Sequence, residues 1–311
     1  MAILRKWASK LLLFKTESSY GANALPTAAA NYVEARNVSL TAYDAETIDR
    51  NIETPVLGSN GKLVMPAWAK LSFEVAYVPG GALGLAPQWG PLLLACGFAQ
   101  TVVAAASVTY NLVSTAFSSG TATLNIDGIL YQFLGCRGDV KISLGAKGIP
   151  LFKFDFTSTY TVPADSALPT PTRTGWMIEE AVHATSTSAV SINGIALPFS
   201  ALDLGPGNKI SKIDLPGPQR EAVIVDRSAS CSLTVLAPTM AVFNPYALAA
   251  ANAATTLIVT HGTAVGSKIQ AVVRGTLTNI SEDQVDGIAA YKLTFDPRPI
   301  SGNDEIALVC V

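Results

Sequence analysis

Apolar residues recur at every second position over several short stretches of the chain. Leu71, Phe73, Val75 and Tyr77 are spaced this way, and so are Cys231, Leu233 and Val235. A period of two belongs to a strand with one buried face, because successive side chains leave a sheet on opposite sides. In a third stretch Phe152, Phe154 and Phe156 share one face, and Lys153, Asp155 and Thr157 the other. Asp127-Gly128 separates the apolar runs 123–126 and 129–133, which predicts two strands joined by a tight turn. Two stretches break the alternation. Residues 88–99 put Pro91 ahead of the apolar Leu92 to Cys96, and residues 244–253 put Pro245 behind Asn244, a capping residue. Each predicts one short helix.

The landmarks fall in the same order in both halves. The first half reads Gly135-Cys-Arg137-Gly138 and then Gly148-Ile149 before the strand with Phe152 and Phe154; the second reads Arg274-Gly275 and then Gly287-Ile288 before Tyr291, Leu293 and Phe295. In each, the Arg-Gly pair is expected to open a strand. An order kept while identity has faded is the mark of a tandem duplication. Each half also holds a Gly- and Pro-rich excursion, 44–66 and 205–226, with little apolar periodicity. Excursions of that length in a compact unit are usually functional or disordered.

Composition narrows the classes. At 311 residues the chain is long enough for two units, each burying about 70% of its unfolded surface. Only 14% of residues are charged against 49% hydrophobic, which suits a protein that hides surface in an assembly. A net charge of −2 argues against a reader of nucleic acid, which needs a local excess of Lys and Arg. The basic cluster Arg5, Lys6, Lys10 and Lys15 flanks an apolar run far too short for a signal peptide or membrane span, so an arm that docks on a neighbour or stays mobile is expected.

Candidate chemistry is sparse. Cys96, Cys136, Cys231 and Cys310 stand far apart, as buried small hydrophobes of a protein made in a reducing compartment do. His183 and His261 lack ligand spacing, so no metal residues are assigned. No phosphate loop or nucleophile elbow is present, so catalytic and cofactor-binding residues are also assigned as none. Gly80, Gly81 and Gly84 read as a turn, and the acidic pairs Glu179-Glu180, Glu282-Asp283 and Asp304-Glu305 as solvated loop charge. Trp68 and Trp89 read as packing residues.

Several motifs taken together resemble the tail tube proteins of long-tailed (siphovirus-type) bacteriophages, in the form with two tube-type domains in one chain. They are Tyr20-Gly21, Arg36-Asn37-Val38-Ser39-Leu40, Gly90-Pro91-Leu92-Leu93 with Cys96-Gly97, Asp127-Gly128, Gly135-Cys-Arg137-Gly138, Gly148-Ile149-Pro150, Ala164 to Pro169, Leu204-Gly205 with Asn208, Asp226-Arg227 and Gly302-Asn303-Asp304-Glu305. The resemblance implies a mainly β fold of two tandem β-sandwich or barrel units, each with one short helix. Residues 1–175 would hold the first unit with the N-terminal arm and 176–311 the second. It implies trimeric rings of pseudo-sixfold symmetry that stack into a tube around a channel for DNA. The implied partners are further copies of the chain, the tape measure protein, the tail terminator and baseplate or distal tail proteins, with no membrane and no cofactor. The implied location is the virion tail, after synthesis in the host cytoplasm.

Within that frame the arm and the two excursions are the expected bridges between subunits or rings, with Arg50, Glu53 and Arg227 as expected contact residues. A tube-capping or baseplate hub protein of the same fold, or a carbohydrate-binding β-sandwich module, stays open as an alternative, and an enzyme of unknown type ranks behind both.

Overall fold

The computed structural model of the chain describes residues 4–217 and 219–311, and these form antiparallel strands with two short helices. The first half runs β1 (Lys10–Thr16), β2 (Tyr32–Val33), β3 (Ala35–Asp44), a hairpin of β4 (Thr47–Asp49) and β5 (Lys62–Val64), β6 (Trp68–Ala76) and α1 (Gly90–Leu94). It continues through β7 (Phe98–Val103), β8 (Ser107–Leu112), β9 (Gly120–Ile126), β10 (Ile129–Gly145), β11 (Leu151–Thr159) and β12 (Ala164–Asp165). The second half runs β13 (Val190–Ile192), β14 (Ile195–Leu197), β15 (Phe199–Gly205), a hairpin of β16 (Asn208–Asp214) and β17 (Arg220–Arg227), β18 (Ser230–Leu236) and α2 (Pro245–Ala250). It closes with β19 (Thr255–His261), β20 (Ile269–Val285), β21 (Ile288–Pro297) and β22 (Ile306–Cys310).

Pairings show that the halves repeat strand for strand. β1 pairs β2 and β9 as β13 pairs β14 and β19; β3 pairs β6 as β15 pairs β18; β6 pairs β11 as β18 pairs β21. β10 pairs β9, β11 and β12 as β20 pairs β19, β21 and β22. Among the described residues only the β7–β8 hairpin lacks a counterpart, and β8 pairs with β22 at the far end of the chain.

The Arg-Gly pairs do not open strands, as the sequence suggested. Arg137-Gly138 and Arg274-Gly275 lie in the middle of β10 and β20, strands of 17 residues each. There the long strand leaves β9 or β19 and joins β11 or β21. Glycine is needed because the partner strand crosses close by. A Cβ on Gly138 would meet the Asp155 carbonyl oxygen at 2.2 Å, and one on Gly275 would meet that of Asp296 at 2.2 Å.

Asp127 and Gly128 both have positive φ, 45° and 95°, as the two central residues of a type I′ hairpin turn do, and Ile126 faces Ile129 across it. The first helix is shorter than expected, five residues instead of 88–99, because Gly97 turns the chain at φ 80° and Phe98 opens β7. In the second, the Asn244 Oδ1 accepts from the Ala247 N–H at 3.0 Å and Pro245 occupies the first helical position. The expected N-terminal arm is also shorter. Leu11 to Phe14 are buried in β1, which pairs along its whole length with β9, and the Lys6 N–H and Ser9 carbonyl before it are bonded to Asp127.

One continuous apolar core runs through both halves, from Phe73, Trp89 and Phe154 to Leu233, Leu293 and Ile306. Trp89 is fully buried and donates its indole N–H to the Val78 carbonyl at 2.5 Å. The four cysteines are buried and free, and burial raises their thiol pKa values.

Candidate functional site

Eight strands line up in the order β3, β6, β11, β10, β15, β18, β21, β20. Period-two alternation gives this sheet two faces of opposite character. One face packs on the core with Leu71, Phe73, Phe154, Ile142, Leu204, Leu233 and Phe295. The other carries Lys70, Ser72, Glu74, Lys141, Ser143, Lys153, Asp155, Asp203, Ser232, Thr294, Lys292 and Asp296, all exposed or half-buried. Asp139 lies on the same face, where burial raises its pKa against the hydrogen bond from the Asn208 N–H. Carboxylates alternate with lysines here, Lys153 Nζ standing 3.8 Å from Glu74 Oε1. Such a wall is wet and close to neutral, with no positive field to hold phosphates.

The two halves are joined by a strand pairing and a docked hairpin. Along the sheet β10 pairs with β15, Ile142 facing Leu204, Ser143 facing Asp203 and Leu144 facing Leu202. Beside it the β16–β17 hairpin lies on the first half. Asn208 donates its side-chain amide to the Cys96 and Gly138 carbonyls at 2.7 and 3.1 Å. Arg137 donates to the Ala222 and Phe117 carbonyls at 2.9 and 3.1 Å, and the Ala222 N–H donates to the Tyr20 hydroxyl at 2.6 Å. The Arg220 guanidinium sits 4.8 Å over the Trp68 ring, a cation–π contact. Lys212 bonds Asp44 at 2.9 Å, and with Lys70 it holds the Asp44 carboxyl down to about 2.

The ends of the eight-strand run differ from its interior. β3 pairs only with β6, and β20 from Asn279 to Val285 pairs only with β21, among the described residues. Next in the chain after β3, both strands of the β4–β5 hairpin are exposed, with Ile48, Val56, Leu57, Leu63 and Val64 turned to solvent. Arg50 and Glu53 stand on the exposed connection between β4 and β5. Arg227, by contrast, is engaged within the chain. It pairs with the buried Glu305 at 2.7 Å and donates to the Val113 carbonyl at 2.8 Å and the Asn303 amide oxygen at 2.7 Å. These three residues are not brought together. Arg137, Asn208 and Tyr20 carry the joint between halves, and the motifs Gly135-Cys-Arg137-Gly138, Leu204-Gly205 with Asn208, and Tyr20-Gly21 had marked all three positions without showing that they meet.

His261 is buried at the end of β19, with Nδ1 2.8 Å from the Thr187 hydroxyl, and burial lowers its pKa. Among the described residues no group of three or more His, Cys, Asp and Glu comes together to hold a metal ion. No described helix is long and apolar enough to cross a membrane.

Duplicated antiparallel strands with a polar wall, open edges and an exposed apolar hairpin are the features of a structural building block, with no catalytic or metal cluster among the described residues. The chain belongs to the phage tail tube protein family, whose model matches residues 7–307. No curated protein matches the chain. It is therefore a structural protein of the phage tail.

Proposed function

We propose that the chain is the major tail tube subunit and that three copies close into a ring of pseudo-sixfold symmetry, residues 1–175 and 176–311 each supplying one tube-type unit. The observation that carries this reading is the eight-strand sheet open at both ends. Unpaired edges are a liability in a monomer and are removed when a sheet closes on itself. Three chains would make a barrel of about 24 strands, beyond the 16 to 18 at which barrels already enclose an aqueous channel. The polar face, with Asp155, Asp203, Lys141 and Lys292, would then line the channel, and its balanced charge suits a conduit that lets DNA pass without gripping it. Rings stack head to tail by an interface that does not close, so the tube grows. Its length and ends would be set by a tape measure protein, a terminator and distal tail proteins. Arg50 and Glu53, on the exposed hairpin, are the proposed contacts to a neighbour, and Arg227 acts by anchoring β17. The protein is read as non-enzymatic, assembled in the host cytoplasm into the virion tail.

The test is negative-stain electron microscopy of the purified chain, with mass measurement of soluble species. Rings of three chains or tubes with a central channel are expected. A monomer at high concentration, even with an extract of tail-initiation proteins added, overturns the reading in favour of a capping or binding module.

A further inference from the structure

The internal duplication specifies how one subunit meets the next. We propose that the joint between subunits copies the joint between halves: β3 of one chain pairs with residues 280–283 in β20 of its neighbour, and the β4–β5 hairpin seats on that neighbour's second unit as β16–β17 seats on the first. This rests on the ring reading and adds its register.

The strand equivalence fixes both edges. β15 uses one edge for β18 and the other for β10; its counterpart β3 uses one edge for β6, and the other has no strand partner among the described residues. β10 uses Ile142 to Gly145 for β15, while continuing to pair with β11 on its other side. In β20 the counterparts follow from the pairing with β21. Gly275 stands opposite Pro297 as Gly138 stands opposite Phe156, and after the bulge at Thr278, Ile280 faces Leu293 as Ile142 faces Phe152. Ile280 therefore replaces Ile142, and Ser281 replaces Ser143. On the other side, Ala35 faces Val75 as Leu202 faces Leu233, and Arg36 faces Glu74 as Asp203 faces Ser232. The internal pair Ser143 and Asp203 thus becomes Ser281 and Arg36 between chains, while the Arg36 guanidinium stays paired with Glu179 of its own chain.

The hairpins agree. β4–β5 leaves β3 and returns to β6 just as β16–β17 leaves β15 and returns to β18. The second hairpin is covered by the first unit, whereas the first hairpin exposes Val56 by 74% and Leu57 fully. Its seat is also free. Arg137, which grips β17, is 11% exposed, whereas its counterpart Arg274 is 39% exposed and, among the described residues, its side chain holds only Asp304, at 3.0 Å. If the next chain stands to the second unit as the second unit stands to the first, edge and hairpin are satisfied together when the ring closes.

Arg36→Cys with Ser281→Cys puts two thiols directly opposite each other, within reach of a disulfide. The four native thiols are buried, two of them with pKa values near 12, so background reaction is small. After assembly and mild oxidation, denaturing gels should show covalent dimer and trimer, absent from either single variant. Rings or tubes in the micrographs without cross-linked bands overturn the register and leave the ring reading standing; a wild-type chain that never leaves the monomer overturns both. As a second variant, residues 50–61 are replaced by Asn-Gly, which keeps the β4–β5 turn. It should retain wild-type circular dichroism and lose ring yield at least tenfold, and an undiminished yield overturns the seating of the hairpin.

Discussion

The Arg137 guanidinium donates to the Ala222 carbonyl at 2.9 Å, across the boundary between the two repeated units. The same group reaches the Phe117 carbonyl at 3.1 Å and stands 4.7 Å from the Tyr20 ring centre. A planar, nearly buried cation thus pins the β16–β17 hairpin to β10. Arg137→Ala leaves the Ala222 carbonyl without this partner and should cost about 1.5–3 kcal/mol, the range for hydrogen bonds to charged groups. Arg137→Lys should recover less than half, because an ammonium lacks the fork geometry. Urea unfolding of the soluble chain measures both, and hydrogen exchange in β17 should rise in the alanine variant.

Gly138 and Gly275 make the same close approach in the two units. Alanine at either site drives a methyl group into a carbonyl oxygen, Asp155 in one and Asp296 in the other. Each substitution should destabilise by about 1–3 kcal/mol, the usual cost of overpacking. Gly145→Ala is the control, since a Cβ there meets nothing within 4 Å and its φ is not positive. It should shift thermal unfolding far less than the other two.

Asp44 gives the joint an acid-sensitive component. Hydrogen bonds from Lys212 and Lys70 lower its carboxyl from 3.8 to about 2. A depressed carboxylate pKa adds stability that is fully present above the unfolded value and is lost as pH falls from about 4 through about 2. Asp44→Asn should therefore be less stable than wild type at pH 7, with the difference shrinking between pH 4 and pH 2. The effect is modest, because the side chain keeps 33% of its exposure and is screened by water. Unfolding midpoints across pH 2–7 check the trend.

Much of the fold was legible in residue order. Alternation at Leu71 to Tyr77 and Phe152 to Phe156 located strands because one face of each is buried, and that constraint is written at every second position. Asp127-Gly128 located a turn because few residue pairs tolerate two positive φ values. The Arg-Gly landmarks revealed the duplication yet were placed at strand starts, since nothing local shows that a strand of 17 residues changes partner halfway. Residues 88–99 looked longer as a helix than α1 is, because apolar periodicity does not show where Gly97 turns the chain.

The sequence alone determined the strand-rich class, the two-fold internal repeat, the lack of a recognisable catalytic motif and the likeness to tail tube proteins. Each of these is local, or repeats at a fixed order along the chain. Tertiary structure decided which strand edges are used up and which are left open, that Arg227 is occupied by Glu305, and that Arg137 and Ala222 meet across 85 positions. Those outcomes depend on pairings between distant segments, and backbone hydrogen bonds form the same way whatever the side chains, so no residue type announces its partner.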